Sequence, residues 1–126
     1  MGNNKVFGAF GESLATDYLS QQGYRVIERN FSCRAGEIDI IAIHGDTVVF
    51  IEVKTRSSER FGMPSEAVST TKQRRIVKTA LFYLQKNRLL DNMSRFDVIE
   101  IITDEDNKSR INLIQDAFQY SGKYGY

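Results

Sequence analysis

Three charged residues interrupt the apolar stretch Gly36–Arg56, GEIDIIAIHGDTVVFIEVKTR: Asp39, Glu52 and Lys54. Charged side chains rarely enter such runs without a partner or a task. Two carboxylates supply hard oxygen ligands, which suit a magnesium-like cation that keeps several waters. A lysine two residues beyond Glu52 can offset the charge of either acid.

For these groups to meet, the stretch must fold as two strands. Alternation puts Glu37, Asp39, Ile41 and Ile43 on one face of the first strand, and Ile38, Ile40 and Ala42 on the other. On the second strand Val48, Phe50, Glu52 and Lys54 share a face. Gly45-Asp46 fits a two-residue hairpin turn with glycine first. That turn pairs His44 with Thr47, and the same register carries Asp39 opposite Glu52 and Glu37 opposite Lys54. Facing carboxylates at about 5 Å repel by roughly 3 kcal/mol at an effective dielectric of about 20. A shared proton, a metal ion or a protein cation must offset that cost. Lys54 alone would make the cluster structural; a bound cation would make it a site. His44, beside the turn, is expected to be exposed and incidental.

The flanking elements supply further groups. Phe7, Phe10, Leu14, Ala15, Tyr18 and Leu19 recur at helical spacing and predict a helix over 4–22, stopped by Gly23. Glu12 lies three before Ala15 and seven before Leu19, on or beside the buried stripe. Its alternative is an exposed acid favoured by the helix dipole. Residues 24–31 read as a strand. A loop over 57–64, with the only proline, leaves the charged strand. A helix follows over 65–88, capped by Ser65, or by Thr70 and Thr71 if the segment breaks. Its inner stripe is Val77, Ala80 and Leu84, with Ile76, Leu81 and Tyr83 beside it. Gln73 falls at the start of that stripe, either as a site group or as a polar end that water reaches. Strands over 95–103 and 110–118 complete the chain.

The 126 residues are 41% hydrophobic and 26% charged, enough for one domain with a core; we assign it to 1–118, with 119–126 as a mobile tail. A net charge of +1 argues against coating nucleic acid by bulk electrostatics. The charge is uneven, however. Ala67–Leu90 holds Lys72, Arg74, Arg75, Lys78, Lys86 and Arg88 and no acid, whereas Asp91–Asp106 holds six acids and only Arg95. A basic run is often just a solvated face; with Arg56 and Arg60 near the carboxylates it becomes a candidate polyanion surface. Cys33 is the only cysteine, so no internal disulfide forms and a reducing, cytoplasmic setting is expected. Neither a signal peptide nor a membrane span is visible.

Taken in order, GESLA, GEIDIIA, FIEVKTR, FGMPSEAV and KQRRI resemble the small YraN-like bacterial family. That family belongs to the PD-(D/E)xK nuclease superfamily and is similar to archaeal Holliday junction resolvases. The resemblance runs from about Gly8 to Ile101, and departs from the superfamily name in having Ile38 where the proline would stand. It implies an α/β restriction-endonuclease-like fold, a central mixed sheet flanked by helices in the order α-β-β-β-α-β-β. It also implies roles. Asp39, Glu52 and the Val53 carbonyl would hold magnesium or manganese, and Glu12 a water of that ion or a second ion. Lys54 would position the attacking water or offset negative charge. Gln73 would orient Lys54, water or phosphate. Arg56, Arg60, Lys72, Arg74 and Arg75 would grip the flanking backbone. The expected activity is metal-dependent hydrolysis of phosphodiester bonds in DNA, branched or junction DNA included, with RNA as the other nucleic acid and a homodimer suited to two-fold substrates. The rival expectations are a silent nuclease-fold module that binds nucleic acid or a protein partner, and a purely structural charge cluster.

Overall fold

The computed structural model describes residues 3–57 and 68–119, with side chains from Phe10 onward. Arg60, Ser65 and the tail 120–126 lie outside the described residues. The elements are α1 (Asn3–Gln21), β1 (Arg25–Cys33), β2 (Gly36–His44), β3 (Thr47–Ser57), α2 (Thr70–Lys86), β4 (Met93–Thr103) and β5 (Ser109–Phe118). The strands form one mixed sheet in the order β1-β2-β3-β4-β5. Only β3 and β4 run parallel, because α2 carries the chain back between them. This is the α-β-β-β-α-β-β order and mixed sheet that the sequence implied.

Each face of the sheet has its own core. Ile41, Val48, Phe50, Phe96 and Val98 pack with Ile76, Val77, Ala80, Tyr83 and Leu84 of α2. Ile40, Ala42, Val49, Ile51, Ile99 and Ile101 pack with Ala15 and Leu19 of α1. Continuous apolar runs in β2 and β3 therefore mark strands covered on both sides. Among the described residues no helix is long and apolar enough to cross a membrane.

Two local expectations are corrected. Phe10 is not part of the buried stripe of α1; it is 56% exposed. The face toward the sheet carries small residues instead, since a Cβ on Gly11 would lie 2.6 Å from Thr55 Cγ2. The helix thus sits too close for a phenylalanine one position away to turn inward. The cap of α2 is Ser69, whose Oγ accepts a 3.2 Å hydrogen bond from Lys72 N, and the helix begins at Thr70.

The hairpin turn is as read. Gly45 has φ 62°, a left-handed value that glycine adopts without cost, and His44 pairs with Thr47. The register then holds through Ile43↔Val48, Ala42↔Val49, Ile41↔Phe50 and Ile40↔Ile51. There it ends, so Asp39 and Glu52 are not ladder partners, and neither are Glu37 and Lys54. Alternation also fails at this point. Ile38 packs with the α2-side core, as Ile41 does, while Ile40 packs with the α1-side core. On β1 the neighbouring residue Asn30 takes φ 54°, and the ladder passes from Arg29↔Ile40 to Phe31↔Ile38. One irregular residue in each strand, Asn30 and Asp39, reverses both faces together. Asp39 is thereby turned into the seam between β2 and β3.

A carboxylate seam flanked by a basic helix

The seam is built around Asp39. Its Oδ2 accepts a 2.8 Å hydrogen bond from Val53 N, replacing the ladder bond that a continued hairpin would have made. In a strand, a residue's N–H and C=O leave toward the same neighbour. The Val53 carbonyl therefore faces the same opening as its N–H. Glu52 projects toward the α2 side with Phe50, and its side chain is 10% exposed. Glu12 reaches the site from α1 on the opposite side, where its Oε1 lies 3.6 Å from Arg29 Nη2.

Electrostatics tie the three acids together. Burial, followed by the charge of Glu52, pushes the Asp39 carboxyl up to about 7. The Glu12 charge and a hydrogen bond shared with Glu52 add to the rise, against the pull of the Val53 N–H. Asp39 thus feels one acid from each face of the sheet, which only a position within the seam allows.

Glu52 carries an ion pair that the sequence did not suggest, with Lys72. Lys72 Nζ lies 2.7 Å from Glu52 Oε1, reaching in from the first turn of α2. Burial pulls the Lys72 ammonium down, but the Glu52 bond and charge, with Asp39 and Glu37, outweigh it and raise its pKa. Lys54 is half-buried on β3, with Glu100 of β4 as its register neighbour. Gln73 sits beside Lys72 on α2, and its Nε2 donates a 2.7 Å hydrogen bond to Val68 O, tying down the approach to the helix.

The predicted phosphate-binding residues divide. Arg74 and Arg75 are exposed on α2, as are Lys78 and Lys86, and Arg88 is exposed in the turn just after it. Arg56 turns inward instead: its Nε is 3.8 Å from Glu100 Oε2, and its side chain is 22% exposed. The acidic stretch is less of a surface than its composition suggests, because Asp97 and Glu100 are buried.

Several members escaped the sequence reading. Glu100, 2% exposed, accepts a 3.0 Å bond from Asn112 Nδ2. It interrupts an apolar strand just as Glu52 does, so its signal was present. The Lys72–Glu52 pair left no signal, since no spacing relates the start of α2 to β3. His44 is not incidental either. Its Nδ1 lies 2.8 Å from Arg95 Nη2, and its ring stacks on Tyr24 at 4.1 Å. Arg95 and Tyr24 both bond the fully buried Asp97, which also accepts from Asp116 N. This second polar cluster closes the turn end of β3. Thr47 and Glu52 are five residues apart, about 17 Å along a strand.

Among the described residues, no three His, Cys, Asp or Glu side chains stand close enough to hold a metal ion together. The donor set at the seam is two carboxylates and one backbone carbonyl. That set fits a hard cation that keeps several waters, and does not fit zinc.

The class so defined is an α/β protein with helices on both faces of a mixed sheet and a partly buried carboxylate seam beside a basic helix. The chain belongs to the uncharacterised protein family UPF0102, whose model matches residues 11–101, a span that includes Glu12, Asp39, Glu52, Lys54 and Lys72. It is 50% identical over 119 residues to a UPF0102 protein of Syntrophus aciditrophicus, covering 94% of this chain and 93% of the relative. It is 51% identical over 117 residues to one from Geobacter metallireducens, covering 93% and 95%. A relative from Caldicellulosiruptor saccharolyticus is 45% identical over 117 residues, covering 92% and 99%.

Proposed function

We propose that this protein is a metal-dependent phosphodiesterase that cuts DNA, with the seam between β2 and β3 as its active site. The observation that carries the reading is the Asp39–Glu52 pair: a half-buried and a buried carboxylate brought together at an interrupted ladder, the first of them pushed up to about 7. Folding tolerates such repulsion where the pair has a use for a cation. Asp39, Glu52 and the Val53 carbonyl would hold magnesium or manganese, with Glu12 reaching a water on the α1 side. The ion would polarise the phosphate and acidify a water. Lys54, next but one to Glu52 on the same strand, would hold the attacking water or offset charge on the phosphate. The exposed face of α2, through Arg74 and Arg75, would hold the flanking backbone and set orientation rather than sequence preference.

The test is a panel of branched, duplex and single-stranded DNA and RNA, incubated with manganese and with wild-type, Lys54→Ala or Asp39→Asn protein. Metal-dependent cleavage by the wild type, lost in both variants, is the expected result. Cleavage that survives in the Lys54→Ala protein overturns the mechanism.

A second reading, a nuclease-fold module that binds and does not cut, has its own observation. The acids are already engaged: Glu52 by Lys72, Asp39 by Val53 N–H and Glu12 by Arg29. It predicts DNA binding that is indifferent to divalent ions.

A further inference from the structure

We infer that the Lys72 ammonium is an exchangeable counter-ion: it holds Glu52 while no divalent cation is bound, and passes to a substrate phosphate when one is. The inference rests on the proposed function and adds a metal-driven switch at the same site.

Geometry gives the first support. Lys72 Nζ is 2.7 Å from Glu52 Oε1, so it covers one of the oxygens a cation would need. The two partners differ sharply in exposure. Glu52 is 10% exposed and held by the sheet, whereas Lys72 is 51% exposed and enters from solvent. The lysine can leave by rotating its stem, with no core to unpack. A flexible four-carbon stem ending in a compact, well-hydrated charge suits such exchange better than a guanidinium fork would.

Charge gives the second. Asp39 and Glu52 together can carry two negative charges, and Lys72 offsets one. A divalent ion offsets both, and repels an ammonium a few ångströms away. Binding of the ion and departure of Lys72 are therefore linked.

The third support is a destination. Lys72 also lines a cavity of about 460 Å³ with Gly36, Glu37, Ser69, Thr71 and Arg75. A phosphate entering beside Arg75 would meet a lysine released from Glu52. Before metal binds, the same lysine is held by a carboxylate and contributes little to polyanion binding. The exchange thus couples substrate grip to metal loading.

The test is a binding cycle with Lys72→Met, and calcium in place of a catalytic ion so that nothing is cut. Manganese affinity is measured by calorimetry, and duplex and junction DNA affinity by anisotropy with and without calcium. The expected Lys72→Met protein binds manganese about 3–10-fold more tightly. It binds DNA as the wild type does without calcium, and about 3–10-fold more weakly with it. An equal loss of DNA affinity in both conditions overturns the exchange. So does a wild-type protein whose Lys72 ammonium NMR signal stays protected by Glu52 as magnesium is added, a measurement that needs no variant. If the wild type binds manganese no better than Asp39→Asn does, the metal site itself is refuted and the exchange falls with it. Intact metal binding with no metal-dependent Lys72 effect refutes the exchange alone.

Discussion

Asp39 shows how one side chain can be a consequence of the fold and a cause of its chemistry. It sits in the seam because the chain on both sides turns its apolar residues to opposite cores. Once there it is half-buried beside Glu52, and its proton is held more tightly than in the unfolded chain, from the ordinary 3.8 up to about 7. The folded state then binds more protons than the unfolded state between those values. Stability from this group is complete below about pH 4 and is lost as pH rises through about 7. Metal-free wild type should therefore lose on the order of 4 kcal/mol between pH 4 and 8 relative to Asp39→Asn, read from urea melts across that range. A variant and wild type with parallel pH profiles would show that Asp39 does not carry the proton.

At the scale of elements, two close contacts matter most. The first is α1 on the sheet at Gly11, which brings Glu12 to the seam. Gly11→Ala would place a methyl 2.6 Å from Thr55 Cγ2 and 3.7 Å from Ile101 Cδ1. We expect a loss of about 1–3 kcal/mol by thermal or denaturant melting, as for overpacking elsewhere. The second lies at the far end of β3, where Asp97 gathers Tyr24, Arg95 and the Asp116 N–H. Asp97→Asn leaves Arg95 without its charge partner and should cost about 3 kcal/mol. Because this cluster is remote from the seam, manganese affinity should be unchanged in Asp97→Asn protein that remains folded. The helix stripes and the turn chemistry of these elements were legible in the sequence: Val77, Ala80 and Leu84 are buried, and Gly45 makes the turn. The placement of Phe10 was not, because a helical stripe fixes spacing but not which edge of the stripe meets the sheet. Gly11 and Ala15, the small residues, settle that by allowing close approach.

For the whole molecule, the densest run of exposed basic residues among those described lies on α2, at the edge of the seam: Lys72, Arg74, Arg75, Lys78 and Lys86. Arg74 and Lys78 are four residues apart on the outer side of α2, both exposed. Replacing both by alanine should weaken DNA binding about equally across sequences. The slope of log affinity against log salt should fall by about 2, measured by anisotropy over a salt series. Unchanged slopes would place the polyanion elsewhere. The acidic stretch after α2 does not form a matching negative face, since Asp97 and Glu100 are taken into the interior.

By itself the sequence determined the order of elements, the doubly covered strands, the turn at Gly45 and the family to which the chain belongs. The element order and the turn follow from local spacing, apolar periodicity and turn chemistry, which act over a few residues; the covered sheet and the family came through the resemblance carried by the motifs. It also singled out Asp39 and Glu52, because a charge inside an apolar strand is conspicuous without any structure. Only the tertiary structure decided how they meet. The irregular pair Asn30 and Asp39 stops the register one step short of the expected carboxylate pair. Asp39 then binds Val53 N–H. Lys72, twenty residues after Glu52 in sequence, pairs with it. A period-two reading assumes an unbroken ladder, and a broken one is set by which core each flanking side chain can enter. Ion pairs between a helix start and a distant strand depend on the same packing, and no pattern along the chain records them.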